Sequence, residues 1–247
     1  MLGRLIKYIS GTRTKDIPPA DAYDLWSRTY DHQADNLMLA LDEELFTGLL
    51  RKASPEGKSI IDVGCGTGRH WDKILAQQPR TLTGYDVSSG MLEQLKLKYP
   101  QAHTVQLNNS NQLPQVESQS VDLIISTLTI AHIENLEEAF GEWQRALAHN
   151  GEIIITDYHP ETLEKGGKRT FRHNMQTLAV KNFTHSIEEI LHLTDKMNWE
   201  LQRLEERKID DTVRSYYEKK NATHVFEKFK GLPIIFGMHL RNKHASA

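Results

Sequence analysis

One cysteine, Cys65, occurs in the 247 residues, so no internal disulfide can form, and a reducing, cytoplasmic setting is expected. No apolar run reaches the ~18–20 residues of a membrane-spanning helix. A basic surplus is also missing. Against 30 Lys and Arg stand 33 Asp and Glu, a formal net charge of −3, so nucleic acid is not an expected partner. Paired cysteines are absent and no histidines share ligand spacing with carboxylates, so no metal site is expected. Internal repeats and low-complexity tracts are lacking too. What remains, 38% hydrophobic and 26% charged residues, has the composition of a globular domain.

The first fifteen residues carry Arg4, Lys7, Arg13 and Lys15 and no acid, with Leu2, Leu5, Ile6 and Ile9 at helical spacing. The apolar run is too short for a secretory signal. It reads either as an amphipathic helix packed on the domain or as a peripheral membrane contact through residues 1–15 or an organelle-targeting segment. A second amphipathic helix is expected over 37–52, where Leu37, Leu41, Leu45 and Leu49 repeat every fourth residue. The run Ala53-Ser54-Pro55-Glu56-Gly57 then breaks the chain.

From there strands and helices alternate. Strands are expected at Ser59–Val63, Thr81–Val87, His103–Leu107, Val121–Ser126 and Glu152–Asp157. Helices are expected at Arg69–Gln78, around Met91, Leu92 and Leu95, and at Leu136–Ala148, the last stopped by Asn150-Gly151. Residues 161–182 are polar and basic and read as loop. Ser186 and Glu189 have capping-box spacing before another helix. Trp199–Ile209 and Pro233–Leu240 read as two further strands, the latter with one buried face and one mixed face, and 212–230 as helical. This rhythm specifies an α/β fold: a doubly wound, mostly parallel, seven-stranded Rossmann-like sheet with insertions near its C-terminal strands. Residues 1–53 are expected to form an N-terminal helical segment and 54–247 the sheet domain, a single domain overall.

The most informative stretch is IIDVGCGTGRH, residues 60–70. Gly64, Gly66 and Gly68 fall between a strand and a helix, where glycine permits a tight turn and lets backbone approach a ligand. Asp86, in GYDVSS, follows Gly64 by 22 residues at the end of the second strand. A carboxylate there can accept hydrogen bonds from a ribose diol; its alternative is to cap the next helix. A nicotinamide dinucleotide would use the same strand–loop–helix–acid layout, but with Gly-x-Gly-x-x-Gly rather than the Gly-x-Gly-x-Gly present here.

With Asp62 two residues ahead of it, that loop, DVGCGTG, resembles the first motif of class I S-adenosylmethionine-dependent methyltransferases. YDVSSGML resembles their second, NNSNQLP with SVDLIIS their third and fourth, and ALAHNGEIIITDYHP the segment ending in the fifth strand. The resemblance covers roughly residues 20–160 and points to the branch acting on quinones and small metabolites. It implies methyl transfer from S-adenosyl-L-methionine, leaving S-adenosyl-L-homocysteine, to an oxygen, nitrogen or carbon of a small-molecule acceptor. It implies further that Gly64, Cys65 and Gly66 line the methionine and ribose of the cofactor and that Asp62 sits near its amino group. Asp86 holds the ribose hydroxyls, Val87 and Met91 pack on the adenine, and Ser126 ends the fourth strand beside the donor methyl. Asn109 and Ser110 stand where the family has Asp and a small residue at the adenine edge; Asn109 keeps a hydrogen-bonding oxygen but loses the charge. Cys65 also reads as a small packing residue.

An oxygen acceptor needs its proton removed. His132, His159 and His185 follow or flank strand ends and are candidate bases, with His132 the first choice; each also reads as a loop or capping histidine. The segment AYDLWSRTYDHQ resembles the helical lid ahead of the core in this branch, which makes 1–53 an N-terminal lid segment; its Tyr23, Trp26 and Tyr30 either cover the bound molecules or are core aromatics. Lys165, Lys168, Arg169 and Arg172 read as solvated surface, or else as a seat for an acidic acceptor or anionic lipid heads. No Asn/Asp-Pro-Pro-Tyr stretch of the amino-methylating nucleic-acid enzymes follows the fourth strand; Ser126-Thr127-Leu128-Thr129 stands there. The alternatives are a non-catalytic S-adenosylmethionine-binding protein and a nicotinamide-dependent oxidoreductase.

Overall fold

A computed structural model describes residues 15–33 and 35–243. The membrane contact expected of the basic N-terminal segment therefore falls, but for Lys15, outside the described residues. Among those described, no helix is long and apolar enough to cross a membrane.

The chain opens with β1 (Asp16–Ile17), α1 (Pro19–Tyr30) and α2 (Leu37–Ala53). Asn36 caps α2, its side-chain oxygen accepting from the Met38 and Leu39 amides, and Ser54 ends it in the left-handed region at φ 46°. Then come β2 (Ser59–Val63), α3 (Trp71–Leu75), β3 (Thr81–Asp86), α4 (Ser89–Lys98), β4 (His103–Gln106), β5 (Val121–Thr127), α5 (Leu136–Ala146) and β6 (Leu147–Tyr158). The last part holds α6 (Pro160–Glu164), β7 (Thr170–His173), β8 (Gln176–Val180), α7 (Ile187–Lys196), β9 (Trp199–Lys208), α8 (Arg214–Glu218), α9 (Thr223–Phe229) and β10 (Pro233–Asn242).

Seven strands form the main sheet in the order β4-β3-β2-β5-β6-β10-β9. The first five of that order run parallel, while β10 lies antiparallel to β6 and β9. Helices cover both faces, which is why β5 and the second half of β6 are buried on both sides and read as continuous apolar runs. One face packs with α5 and α7 through Phe140, Trp143 and Ile190. The other packs with α2, α3 and α4 through Phe46, Trp71 and Leu95. The five-residue α3 is far below the length at which a helix holds itself. Full burial of Trp71 and Ile74 holds it, at ~2–3 kcal/mol apiece.

Three expectations are corrected. The helix after β5 ends at Ala146; Asn150, at φ 59°, and Gly151 lie in an irregular stretch of β6, whose register shifts opposite Val121 and Leu123. β10 has both faces buried apart from Arg241, because α2 covers the side expected to be mixed. Residues 161–182 are not loop. They hold α6 and the hairpin β7–β8, which turns at Asn174 and Met175, both at positive φ, and joins β1 in a three-stranded sheet. Phe171, Leu178 and Val180 of this hairpin pack with Trp26 and Tyr30 of α1 and with Met91 of α4. That cluster seats α1 over the ends of β2 and β3.

α1 is also latched by charge. The Asp24 carboxylate accepts from the Ser88 hydroxyl at 2.6 Å and the Gly90 amide at 2.8 Å, and Asp31 accepts from the Thr67 hydroxyl at 2.7 Å. Beneath the loop after β2, the fully buried Asp42 of α2 takes Arg69, His70 and Thr156 on its carboxylate. The Arg69 charge and these hydrogen bonds outweigh desolvation and hold its pKa well below the usual carboxylate range.

Candidate active site at the strand ends

Strand order runs outward from β2 in one direction and from β5 in the other. The crevice between their C-terminal ends is where an open α/β sheet receives ligands. A cleft opens there, with about 530 Å³ of space counting the part open to solvent.

Its floor is the glycine turn. The Gly64 and Cys65 amides both donate to the Tyr85 carbonyl, at 2.7 and 3.1 Å, so the chain folds back on β3. Gly64 takes φ 74°, and a Cβ there would meet the Thr129 side chain at 2.1 Å. Gly66 takes φ 53° with nothing within 4 Å of its missing Cβ, and it lines the cleft. The Gly66 amide donates to Asp86 Oδ2 and the Ser88 amide to Oδ1, each at 2.8 Å. Ser88, not Asp86, caps α4 by accepting from the Met91 amide. Asp86 faces the cleft with Val87, Met91, Leu107 and Ser110. Burial raises its pKa to about 6, with the charge of Asp24 adding to the rise and the amides of Ser88 and Gly66 opposing it.

The other end of the cleft is built from α1, the turn after β5 and the segment before β7. Leu128 turns at φ 54°, which lets its amide donate to the Thr156 carbonyl at 2.7 Å. A leucine in this region is strained, at a cost of ~1–3 kcal/mol, and the strain falls on the cleft wall. The short turn Ile130–His132 follows. His132 Nδ1 lies 3.0 Å from the Lys181 carbonyl, an acceptor only, so Nδ1 carries the proton. Nε2 is then free to accept from the Tyr23 hydroxyl at 2.9 Å. Burial, with the Arg169 charge, lowers the His132 pKa to about 3, so the ring is neutral. Burial likewise pushes the Tyr23 phenol well up.

Of the residues expected at the site, the structure brings Tyr30, Gly64, Gly66, Asp86, Val87, Met91, Ser110 and His132 together around the cleft. Others stand apart. Asp62 is buried below the turn; its Oδ2 accepts from the Trp71 indole at 2.8 Å, and its Oδ1 has no partner. Burial raises its pKa to about 6. The Cys65 thiol packs in the core between Gly84 and Trp71, consistent with a packing residue and not with a side chain on the cofactor. Asn109 is exposed and spends its oxygen on the Asn111 amide. Ser126 is fully buried with an unpartnered hydroxyl, because strand alternation turns the next residue, Thr127, to the cleft instead.

Two candidate bases lie away from the cleft. His159 caps α6, its Nδ1 accepting from the Glu161 amide at 3.3 Å while Nε2 lies 2.9 Å from Glu206. His185 donates from Nε2 to the Ile133 carbonyl at 2.8 Å. It lines a separate, smaller cavity. Neither faces the cleft, because both rings are spent on tying segments together. The four cations of the basic segment also divide. Lys165, Lys168 and Arg172 are exposed, as solvated surface is, but Arg169 is 4% exposed and lines the cleft, which the sequence offered only as the alternative reading of the whole patch. Thr129 was missed; its only sequence signal is its place just past the end of β5.

Residues 61–155 match the family model of a methyltransferase domain. The chain is 25% identical over 240 residues to the biotin biosynthesis bifunctional protein BioHC of Teredinibacter turnerae, covering 91% of this chain and 38% of that protein. It is 31% identical over 114 residues to the ubiquinone/menaquinone biosynthesis C-methyltransferase UbiE of Campylobacter jejuni, covering 44% of this chain and 47% of that one. The chain thus spans about half or less of these relatives' lengths. Among solved structures, an S-adenosylmethionine dependent methyltransferase from Mesorhizobium loti superposes with TM-score 0.59 at 17% identity, over 78% of this chain and 95% of its own. The [4+2]-cyclase SpnF superposes with TM-score 0.66 at 15% identity, over 93% and 97%.

Proposed function

We propose that the chain, whose residues 61–155 match a methyltransferase domain, is a class I S-adenosylmethionine-dependent methyltransferase that transfers a methyl group from S-adenosylmethionine to a small-molecule acceptor held in the cleft. The observation that carries this reading is the pairing, at the sheet's switch point, of an open glycine turn at Gly66 with the buried carboxylate of Asp86.

The residues present suit the cofactor. Asp86 has lone pairs left for two ribose hydroxyls, since each oxygen already accepts one amide. The open space at Gly66 admits a ligand against bare backbone. The unpartnered Oδ1 of Asp62 is a buried acceptor awaiting a donor, which suits an amino group reached directly or through water. Val87, Met91 and Leu107 give an apolar seat for the adenine, with Ser110 at its edge. Asn109 and Ser126 take no part through their side chains. When bound, the sulfonium supplies an activated methyl group and a good leaving group.

The protein's work is then to orient the acceptor and keep water out. Tyr23 and Tyr30 of α1 cover the cleft. His132 presents an accepting Nε2 in a fixed tautomer, set by the Lys181 carbonyl. An acceptor hydroxyl that takes the place of the Tyr23 hydroxyl would be aligned by it.

SpnF's name pairs the same fold with a cyclase, so the fold alone does not fix the activity. Titration calorimetry with S-adenosylmethionine, S-adenosylhomocysteine and NADH, followed by a methyl-transfer assay, separates the readings. Binding of the first two with turnover is expected. Binding without turnover on any acceptor tried points to a non-catalytic binding protein, and binding of NADH alone overturns the proposal.

A further inference from the structure

Arg169 is a buried cation in a cleft wall, and among the described residues it forms no ion pair. Its Nη2 donates to the Tyr30 hydroxyl at 2.7 Å and its Nη1 to the Leu128 carbonyl at 3.5 Å. Its guanidinium lies 5.4–5.8 Å from the ring centres of Tyr23, Trp26, Tyr30 and Tyr158. Asp157, an acid whose charge reaches it, already accepts from the Ala131 and Tyr158 amides at 2.8 and 2.7 Å. Two of the five guanidinium N–H groups are thereby bound to neutral oxygens. Carrying an unpaired guanidinium out of water costs several kcal/mol, and aromatic faces return only ~0.5–2 kcal/mol each. Such a group persists in a cleft where a partner arrives from outside.

From this geometry we infer that Arg169 receives a carboxylate in the cleft. The planar fork of guanidinium matches a carboxylate through two parallel hydrogen bonds, which a lysine cannot do. The inference rests on the methyl-transfer reading only for the source of that carboxylate. An acidic acceptor and the methionyl group of the cofactor both carry one. An acidic acceptor suits the rest of the wall, since a carboxylate arrives ionised. The groups beside Arg169, a neutral His132 and a Tyr23 phenol, offer no strong base to an acceptor that must lose a proton.

The test uses wild type, Arg169→Gln and Arg169→Lys, each checked for a cooperative thermal melt. Calorimetry first compares S-adenosylhomocysteine with its decarboxylated analogue. It then compares benzoate with benzamide, with and without saturating S-adenosylhomocysteine. Losing charge-assisted hydrogen bonds should weaken carboxylate binding roughly 10- to 100-fold. If R169Q loses affinity for S-adenosylhomocysteine but not for the decarboxylated analogue, the carboxylate is the cofactor's. If S-adenosylhomocysteine binds equally but the wild-type preference for benzoate over benzamide vanishes in R169Q and partly returns in R169K, it is the acceptor's. Either result supports the proposal. Carboxylate preferences that are absent, or unchanged by either substitution, overturn it. Failure of wild type to bind S-adenosylhomocysteine sinks the methyl-transfer reading instead, and the benzoate and benzamide titrations without cofactor still decide the role of Arg169.

Discussion

Acidification should loosen the cofactor through Asp86. In the free protein this carboxyl is buried and its pKa stands at about 6, which places ~3 kcal/mol on its ionised form relative to an exposed aspartate. Ribose hydroxyls can donate only to the ionised oxygens without competition, so a bound nucleoside should draw the pKa back down. Below pH 6 the site must release a proton before it binds. A free-state value near 6 predicts a dissociation constant for S-adenosylhomocysteine about tenfold higher at pH 5 than at pH 7.5. Asp62, whose pKa burial also raises to about 6, steepens this toward ~100-fold if its free oxygen meets the amino group. The sign is fixed. A carboxyl with a raised folded pKa stabilises the empty protein below its unfolded pKa and loses that contribution as pH rises through 6, whereas the ligand stabilises the ionised form. The increment in melting temperature given by the cofactor product should therefore shrink on acidification. Calorimetry from pH 5 to 8 in two buffers of different ionisation enthalpy counts the protons directly. Asp86→Asn should bind weakly, with at most the shallower slope of Asp62. A wild-type affinity constant within twofold across this range would refute the reasoning.

Two glycines of one loop should fail differently. Gly64→Ala forces a Cβ onto Thr129 in a left-handed backbone and should cost ~2–4 kcal/mol in denaturant unfolding, whereas Gly66→Ala meets no atom within 4 Å. It should cost only ~1 kcal/mol while sharply weakening S-adenosylhomocysteine. The imidazole of His132, with a pKa near 3, should show no NMR titration between pH 5 and 8; an inflection near 6.5 would contradict its neutral, tautomer-fixed state. Asp42→Ala leaves Arg69, His70 and Thr156 without their shared acceptor and should destabilise by ~3–5 kcal/mol in chemical denaturation. In wild type, its depressed pKa gives a contribution present above pH ~4 and lost below it.

What the sequence made legible follows from how local each cause is. β2 occupies Ser59–Val63 as its short apolar run predicts, because a strand covered on both faces buries successive residues such as Ile60, Ile61 and Val63, and here Asp62 with them. The capping box at Ser186 forms as read, the Ser186 hydroxyl accepting from the Glu189 amide at 3.0 Å, because capping depends on residues three apart. The hairpin β7–β8 was not legible. Its strands have four and five residues, and their burial comes from Trp26 and Tyr30, far earlier in the chain. One signal was present, the two short runs TFRH and QTLAV separated by the turn-forming pair Asn174-Met175, but the surrounding Lys and Arg residues concealed it.

The same contrast divides the cleft. The end of the cleft at the glycine turn is carried by a strand–turn–helix unit whose residues recur at fixed spacing, so the sequence alone brings Gly64, Gly66, Asp86, Val87 and Met91 to one place. The opposite end has no such spacing. Tyr30 and Arg169 are hydrogen-bonded across 139 residues of sequence, and His132 is held by Tyr23 and the Lys181 carbonyl, 109 and 49 residues away. Four cations stood within residues 165–172, and nothing local distinguished the buried one from the exposed three. Only the long-range packing of the hairpin on α1 does so. Arg169 stands immediately before β7, so the register of that hairpin sets where its charge enters the cleft. A change in hairpin length there would move the cation without touching the glycine turn, so under the proposed function acceptor choice can vary on a cofactor site that stays the same.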